Sequence, residues 1–593
     1  MFNSQFSRVV EKMGLAVCLV LTAFLIVSHA GEFISPGEIE AGMQGYGLTV
    51  FRGTEPETFV VEAVGVLKNR LPKQDLVVIL MEDPKLLESN IVAGMSGSPI
   101  YFGGRLLGAL AYGPVFSKKP IAYVTPIENM LKELDRPAEP ERTWQRVSAL
   151  RDFMGRDAAG RGMDESSGVP SRAGPGASGV KPVSSILSVS GFSPGRLNLL
   201  EEWFSPYGLI PVASGGADPS RGAGPSAYVP GGAIGVQLMS GDLSMTAIGT
   251  VTHVSPGGRV LAFGHPFFNI GQTAMPATTA HVHMFVPSTY ISYKLASPIR
   301  TLGSMVQDRQ PAILIDSNRT AQMVPVRVEV SNEVTGREET YRYEVIREQR
   351  LTPLLAFIGL MEALDAAEAG PPGDRAFTVR SEMRVAGREK AVTLEDLTPS
   401  PYKTLFEILM LLDNRIEEAV PRSFDFSVKV ANASRIAWIT SVRTTSKKFQ
   451  PGARVPVTVR LRTQQGEERR LTAGFTLPPS LQGRVADFEI RGGFGFQQPE
   501  APPRTLDQVV RILERRPKGN DLVIRLLQTP PSQTQDGEAL PNLPNFFQRL
   551  TQGGVQGMSP MVMQPAYETF GTEWIVYGAQ RLQVEIESEG KAR

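Results

Sequence analysis

Residues Ile91–Ile100, IVAGMSGSPI, set two serines among small residues just past an apolar run and end on a proline-led strand pattern. Gly94 and Gly97 allow backbone conformations that other residues reach only with strain, so the stretch is built to turn sharply. Two readings of such a turn stand side by side. In one, the glycines supply positive φ and the serines cap main-chain groups. In the other, small neighbours let main-chain N–H groups converge on a developing negative charge while one serine hydroxyl points at a ligand.

Outward from this turn, short β-rich runs such as TFVVEAVGVL, DLVVIL, RLLGALAYG and IAYVTP alternate with turn residues from Thr49 to Val124 and close on a short helical pattern, PIENMLKEL. This spacing predicts a small closed sheet or half-barrel over residues 31–137. Residues 138–181 are rich in Gly, Ser, Pro and charge and read as a largely disordered linker. A second β-rich segment, 182–370, ends in the apolar helix LTPLLAFIGLMEALDAAE, which Glu362 and Asp365 interrupt and which is short for a membrane span. Residues 371–499 alternate with period two between Pro-Gly turns, as a β-sandwich-like module does. Residues 500–593 read as a helix, a disordered loop and a terminal strand. The expected fold class is mainly β.

A chain of 593 residues exceeds one hydrophobic core, which agrees with this division. Its 61 basic and 60 acidic side chains leave a formal charge of +1, and no basic run carries interleaved aromatics, so nucleic acid is not an expected partner. Residues 1–30 read as an export signal: Arg8 and Lys12 precede an apolar run from Gly14 to Val27, and Ser28-His29-Ala30 precedes a cut near Gly31. The expected location is periplasmic, cell-envelope or secreted, with membrane attachment only if the segment stays uncleaved. The single cysteine, Cys18, lies in that segment, so the mature chain would have no thiol, disulfide or cysteine metal ligand. No cofactor and no metal are expected.

The six residues GMSGSP, Gly94 to Pro99, resemble the nucleophile turn Gly-x-Ser-Gly-x-Pro of serine peptidases built on paired β-barrels. That resemblance assigns the nucleophile to Ser96 rather than Ser98 and the oxyanion hole to the N–H groups of Gly94 and Ser96. A serine needs a base. Of the five histidines, His29 belongs to the signal and His253 reads as an ordinary strand residue. His281 and His283 share a strand face without a neighbouring carboxylate, so two half-exposed side chains are the simpler reading than a metal site. His265 follows Gly264 at a strand end, placed either to project toward a partner or to bond main-chain carbonyls as a structural turn residue.

Two longer stretches carry a family resemblance. EDPKLLESNIVAGMSGSPIYFGGRLLGALAYG, followed by YVTPIENML, resembles the catalytic-serine segment of the SpoIVB-type sporulation peptidases. AIGTVTHVSPGGRVLAFGHPFFNIG, followed by TLGSMVQDRQPAILIDS, resembles their catalytic-histidine segment. The resemblance implies a serine endopeptidase with Ser96 as nucleophile, His265 as general base and Asp83 as the acid that orients the imidazole. It implies two half-barrels of the trypsin-like kind, here in permuted order because Ser96 precedes His265, and without the PDZ module of the relatives. Its substrates would be proteins or peptides. Asp83 precedes Pro84 and so equally suits a helix N-cap; Asp308 and Asp242 are alternative orienting acids. The reading from a different class is a catalytically inactive, peptidase-like binding or scaffold protein of the cell envelope, with the C-terminal β-sandwich as its contact surface.

Overall fold

The computed structural model describes residues 31–136, 180–216, 224–369, 375–496, 503–527 and 566–587 apart from a few single positions and pairs, together with three short strands between 533 and 559. The expected signal segment and nearly all of the expected linker lie outside the described residues. The chain divides into two compact units, the first reaching Gln322 and the second holding Met239–Leu243 and everything from Met323.

The first unit begins with β1 (Gln44–Thr49), β2 (Glu57–Leu71), β3 (Gln74–Leu80), β4 (Val92–Ala93), β5 (Pro99–Phe102), β6 (Arg105–Pro114), β7 (Ile121–Pro126) and α1 (Ile127–Leu131). Strands β5, β1, β2, β3, β7 and β6 pair in that order, and β5 returns onto β6, which closes a six-stranded barrel. Alternation along the strands directs Phe59, Val61, Val77, Ile79, Ile100, Phe102, Leu107, Leu110 and Val124 into one buried cluster. A closed ring also removes the edges that an open sheet would leave exposed.

The rest of the first unit comprises β8 (Val180–Pro182), β9 (Ser185–Ser190), α2 (Pro194–Phe204), β10 (Leu209–Ala213), β11 (Ala233–Gly241), β12 (Ser244–Val254), β13 (Arg259–Ala262), β14 (Gly271–Val286), β15 (Ser292–Arg309) and β16 (Ala312–Asp316). Strands β12, β13, β16, β15, β14 and β11 pair in sequence and β11 returns onto β12, giving a second six-stranded ring. Each expected half-barrel is therefore a complete barrel, consistent with a trypsin-like pair. The short β8 pairs with β6 of the first barrel and lies immediately before β9, which joins β12 of the second.

The two barrels approach with almost no side-chain spacer. A Cβ on Gly97 would lie 2.0 Å from Thr250 O and 2.6 Å from Phe263 N, and one on Gly264 would lie 2.7 Å from the Cβ of Ala109. Threonines of β12 pin this seam: Thr250 Oγ1 donates to Gly94 O at 3.0 Å and Thr252 Oγ1 to Gly97 O at 2.7 Å. Thr125 Oγ1 of β7 donates to Gly264 O at 2.7 Å.

In the second unit, β17 (Met323–Asn332), β18 (Arg337–Ile346), β19 (Arg375–Val385), β20 (Val392–Thr398) and β21 (Pro421–Asn432) form a sheet ordered β18-β17-β21-β19-β20. The apolar helix α3 (Leu351–Ala366) is buried around most of its circumference, with Tyr343 Oη donating to Ala356 O at 2.9 Å. Two further sheets share one apolar core drawn from residues 437–586, which makes a β-sandwich. Its strands include Asp521–Leu526, Tyr567–Gly571 and Ala579–Ile586. The sandwich thus starts later and ends later than the 371–499 boundaries read from sequence, because β19 and β21 pair with each other and β21 with β17. No helix among the described residues is long and apolar enough to cross a membrane.

The seam makes a direct test. Gly97→Ala forces a methyl group into a main-chain contact that has no flexible side chain to yield, and Gly97 also sits at φ +96°. Overpacking of this kind costs about 1–3 kcal/mol, so chemical denaturation should show at least that loss, whereas Gly103→Ala, in open space at a hairpin tip, should cost less.

Candidate active site

The serine turn joins β4 to β5. Met95 N–H donates to Val92 O, Ser98 N–H to Met95 O and Gly97 N–H to Leu110 O, so the turn is held by its own main chain and by β6. Ser98 Oγ closes it further by donating to Met95 O at 2.7 Å. Ser98 therefore has a structural partner. Ser96 does not: it is 0 % exposed, and its Oγ has no hydrogen-bond partner among the described residues. A buried hydroxyl left unpaired costs free energy and calls for an explanation, of which a catalytic role is one.

The histidine turn follows β13. Phe263 at φ +69° and Gly264 at φ +72° are consecutive left-handed residues, and the phenylalanine is strained in that conformation. They deliver His265 into a site where it is 5 % exposed. Its Nδ1 lies 2.8 Å from Pro266 O, and its Nε2 has no hydrogen-bond partner among the described residues. A carbonyl accepts only, so the tautomer that satisfies Pro266 O is the one protonated on Nδ1, which leaves a lone pair on Nε2. Burial pulls the imidazole down to about 4, with the carbonyls of Pro266 and Val183 pulling weakly the other way. Free imidazole titrates near 6.5, so the folded ring stays neutral across the physiological range.

One dipeptide touches both turns. Ser184 O accepts the Gly94 N–H at 3.1 Å, and the neighbouring Val183 carbonyl lies against the His265 ring. From the second barrel, Thr250 N–H donates to Ser96 O at 2.8 Å and Thr250 O lies 3.4 Å from Phe263 N. Ser96 and His265, 169 residues apart in the chain, are thereby fixed to the same small set of main-chain groups.

The other expected site residues fare differently. Asp83 caps the 3-10 turn Pro84–Leu86: Oδ1 accepts from Lys85 N–H at 2.8 Å and Oδ2 from Val60 N–H at 3.0 Å. Both oxygens serve the main chain, which is the N-cap alternative, and the ring nitrogen that an orienting acid would hold is on Pro266 O instead. Asp308 is fully buried on β15 and braces the histidine turn from below, accepting from Phe267 and Phe268 N–H at 2.7 Å each and from Ile270 N–H at 3.3 Å. Burial raises its carboxyl and those amides partly offset the rise. Asp242 belongs to the second unit, where it accepts from Arg342 N–H. Of the two expected oxyanion donors, Gly94 N–H is committed to Ser184 O, while Ser96 N–H has no acceptor among the described residues. His253 sits 3.8 Å from Glu32, and His283 Nε2 lies 2.9 Å from Ser297 Oγ.

Residues 32–131 match the family model SpoIVB peptidase S55. The match takes in Asp83, the whole serine turn and the first barrel through α1. The resemblance read from the sequence is thus shown for the serine half, and it is a resemblance to a serine peptidase. The histidine half lies beyond the matched segment. Searches of curated proteins and of solved structures found no match.

Sequence reasoning missed Lys294. It is 0 % exposed in β15, and its Nζ bonds Thr49 Oγ1 at 2.8 Å and Thr250 Oγ1 at 3.2 Å. Its stem packs against Gly94, where a Cβ would lie 3.4 Å away. With no carboxylate at hand, burial lowers the amine to about 7. A lysine whose folded value falls below its unfolded 10.5 costs stability in full below about 7, and the cost fades as pH rises toward 10.5. Lys294→Met should therefore raise the melting temperature at pH 6, and the gain should shrink at pH 10. An equal gain at both pH values, or a loss at pH 6, would show that the two threonine hydroxyls hold the buried amine in its charged form.

Proposed function

We propose that the chain is an exported serine endopeptidase in which Ser96 is the nucleophile and His265 the general base. The observation that carries this reading is the pair of unpartnered reactive atoms, Ser96 Oγ and His265 Nε2, buried on two turns fastened to the same residues. In the acylation step His265 Nε2 would take the Ser96 proton as Oγ attacks the substrate carbonyl, and would then return it to the leaving amine. Ser96 N–H is the first oxyanion donor. Gly94 N–H becomes the second once it leaves Ser184 O. Pro266 O holds the ring in the tautomer that the step needs, and Asp308 fixes the turn from which the ring projects. Permutation of the two barrels relative to the sporulation peptidases accounts for the order of Ser96 and His265 in the chain.

The inactive scaffold reading draws on two observations: Gly94 N–H is engaged by Ser184 O, and among the described residues no carboxylate bonds the imidazole. Catalysis tests separate the two. Ser96→Ala and His265→Ala should each abolish labelling by a fluorophosphonate and hydrolysis of an unstructured protein, and the double variant should be no worse than either. Asp83→Asn should lose less than tenfold in kcat among folded molecules, against the roughly 10⁴-fold loss when an orienting acid is disabled, and should lower the melting temperature because an amide nitrogen cannot accept from Val60 or Lys85. Absence of labelling at every pH between 5 and 9, both in the folded wild-type chain and in a folded Lys181→Pro chain whose β8 pairing to β6 is loosened, would establish the scaffold reading.

A further inference from the structure

The upper edge of β6 is shared by two occupants in succession. Strand β5 pairs with Arg105–Ala109, the serine turn takes Leu110 on both sides, and β8 then takes Ala111–Pro114. Val183 N–H donates to Ala111 O at 2.8 Å, and the antiparallel register sets Pro182 opposite Tyr112 and Lys181 opposite Gly113. Bonded and unbonded pairs alternate in such a ladder, so Pro182 falls where its missing N–H forfeits nothing. Beyond Val183 the chain lays Ser184 O on Gly94 N–H. An extended peptide added to this edge would run past Ser96 in this manner, since main-chain pairing to a free strand edge is how enzymes and binding domains take unfolded segments.

From this arrangement we propose that Val180–Ser184 is a cis-inhibitory strap: the chain's own strand fills the edge of β6 on which a substrate peptide would pair, and keeps the site closed. The proposal rests on the peptidase reading for the meaning of the site, but the occupancy itself is independent of catalysis. Four features fit an occupant better than a fixed wall. The strand is three residues long. Lys181 and Pro182 are exposed. The carbonyl on Gly94 follows the residue bonded to Ala111 rather than belonging to it, and Ser96 N–H is left unused, so the strap does not present a carbonyl to both oxyanion donors. Ser96 Oγ and His265 Nε2, on the two turns it touches, stay unpartnered among the described residues.

The test uses the full chain and Lys181→Pro, which removes the N–H that pairs with Gly113 from an exposed position. Fluorophosphonate labelling of Ser96 should be at least tenfold faster in Lys181→Pro than in wild type, and the free peptide Val180–Ser185 should slow it again. The same peptide, fluorescently tagged, should bind Ser96→Ala carrying Lys181→Pro and not Ser96→Ala alone. Equal labelling rates with no peptide binding would overturn the strap and leave the peptidase reading intact. Peptide binding without any labelling would uphold the strap as an occupant and overturn the peptidase reading. If Lys181→Pro fails to fold, hydrogen exchange in the wild-type chain decides: Val183 N–H must exchange by local opening well ahead of Leu110 N–H, and exchange of both only on global unfolding would make the strand a fixed wall.

Discussion

Everything at the site depends on how closely two main chains can approach. Gly97 lies so near Thr250 O and Phe263 N that even a methyl group is excluded, and this contact is what lets Thr250 reach Gly94 O, Ser96 O and, through its own carbonyl, the start of the histidine turn. The serine turn is therefore braced by the barrel that does not contain it. Neither barrel holds a complete site. The position of Ser96 is a property of the seam, which is why small residues and threonines gather there: glycine gives proximity, and a threonine hydroxyl satisfies a carbonyl that the proximity would otherwise strand.

The electrostatics follow from the same dryness. An imidazole, a carboxylate and an amine lie buried in the first unit, and each is displaced toward its neutral form. For His265 this keeps the ring neutral at ordinary pH while lowering its affinity for a proton. Its stability sign is the usual one for a buried histidine: the folded value lies below 6.5, so the fold weakens as pH falls from about 6.5 toward 4. Orientation of the ring by a main-chain carbonyl supplies only a partial charge, so an imidazolium formed at His265 would be held by a dipole where an acid would hold it with a full charge.

Much of this was legible in the sequence because it is written in residues that few other situations require. The run GMSGSP, the pair of strands around it and the turn after FGH announced the serine turn, the first barrel and the histidine turn. Closure of each ring could not be read, since pairing of β5 with β6 and of β11 with β12 is a long-range outcome that local alternation does not encode. Asp83 was ambiguous for a physical reason, as a carboxylate before proline satisfies a cap and a triad equally well on paper. Thr250 and Thr252 showed only as polar residues alternating through TVTH, and Lys294 as one charge in an apolar strand; their meaning lies in partners 44 to 245 residues away. The sandwich boundary moved because its closing strands come from the far end of the chain.

The order of the barrels along the chain has a consequence for synthesis. A ribosome delivers residues from the N-terminus, and domains fold as they emerge. The serine barrel is complete once β7 has appeared, and the strap at Val180–Ser184 follows before any part of β12 or the turn bearing His265 exists. On the proposed reading, the nascent protein during that interval would own a nucleophile and its cover but no base. By the time His265 arrives, the β6 edge already has β8 to pair with, so on that same reading a newly made molecule would pass from harmless to closed without an intervening open state.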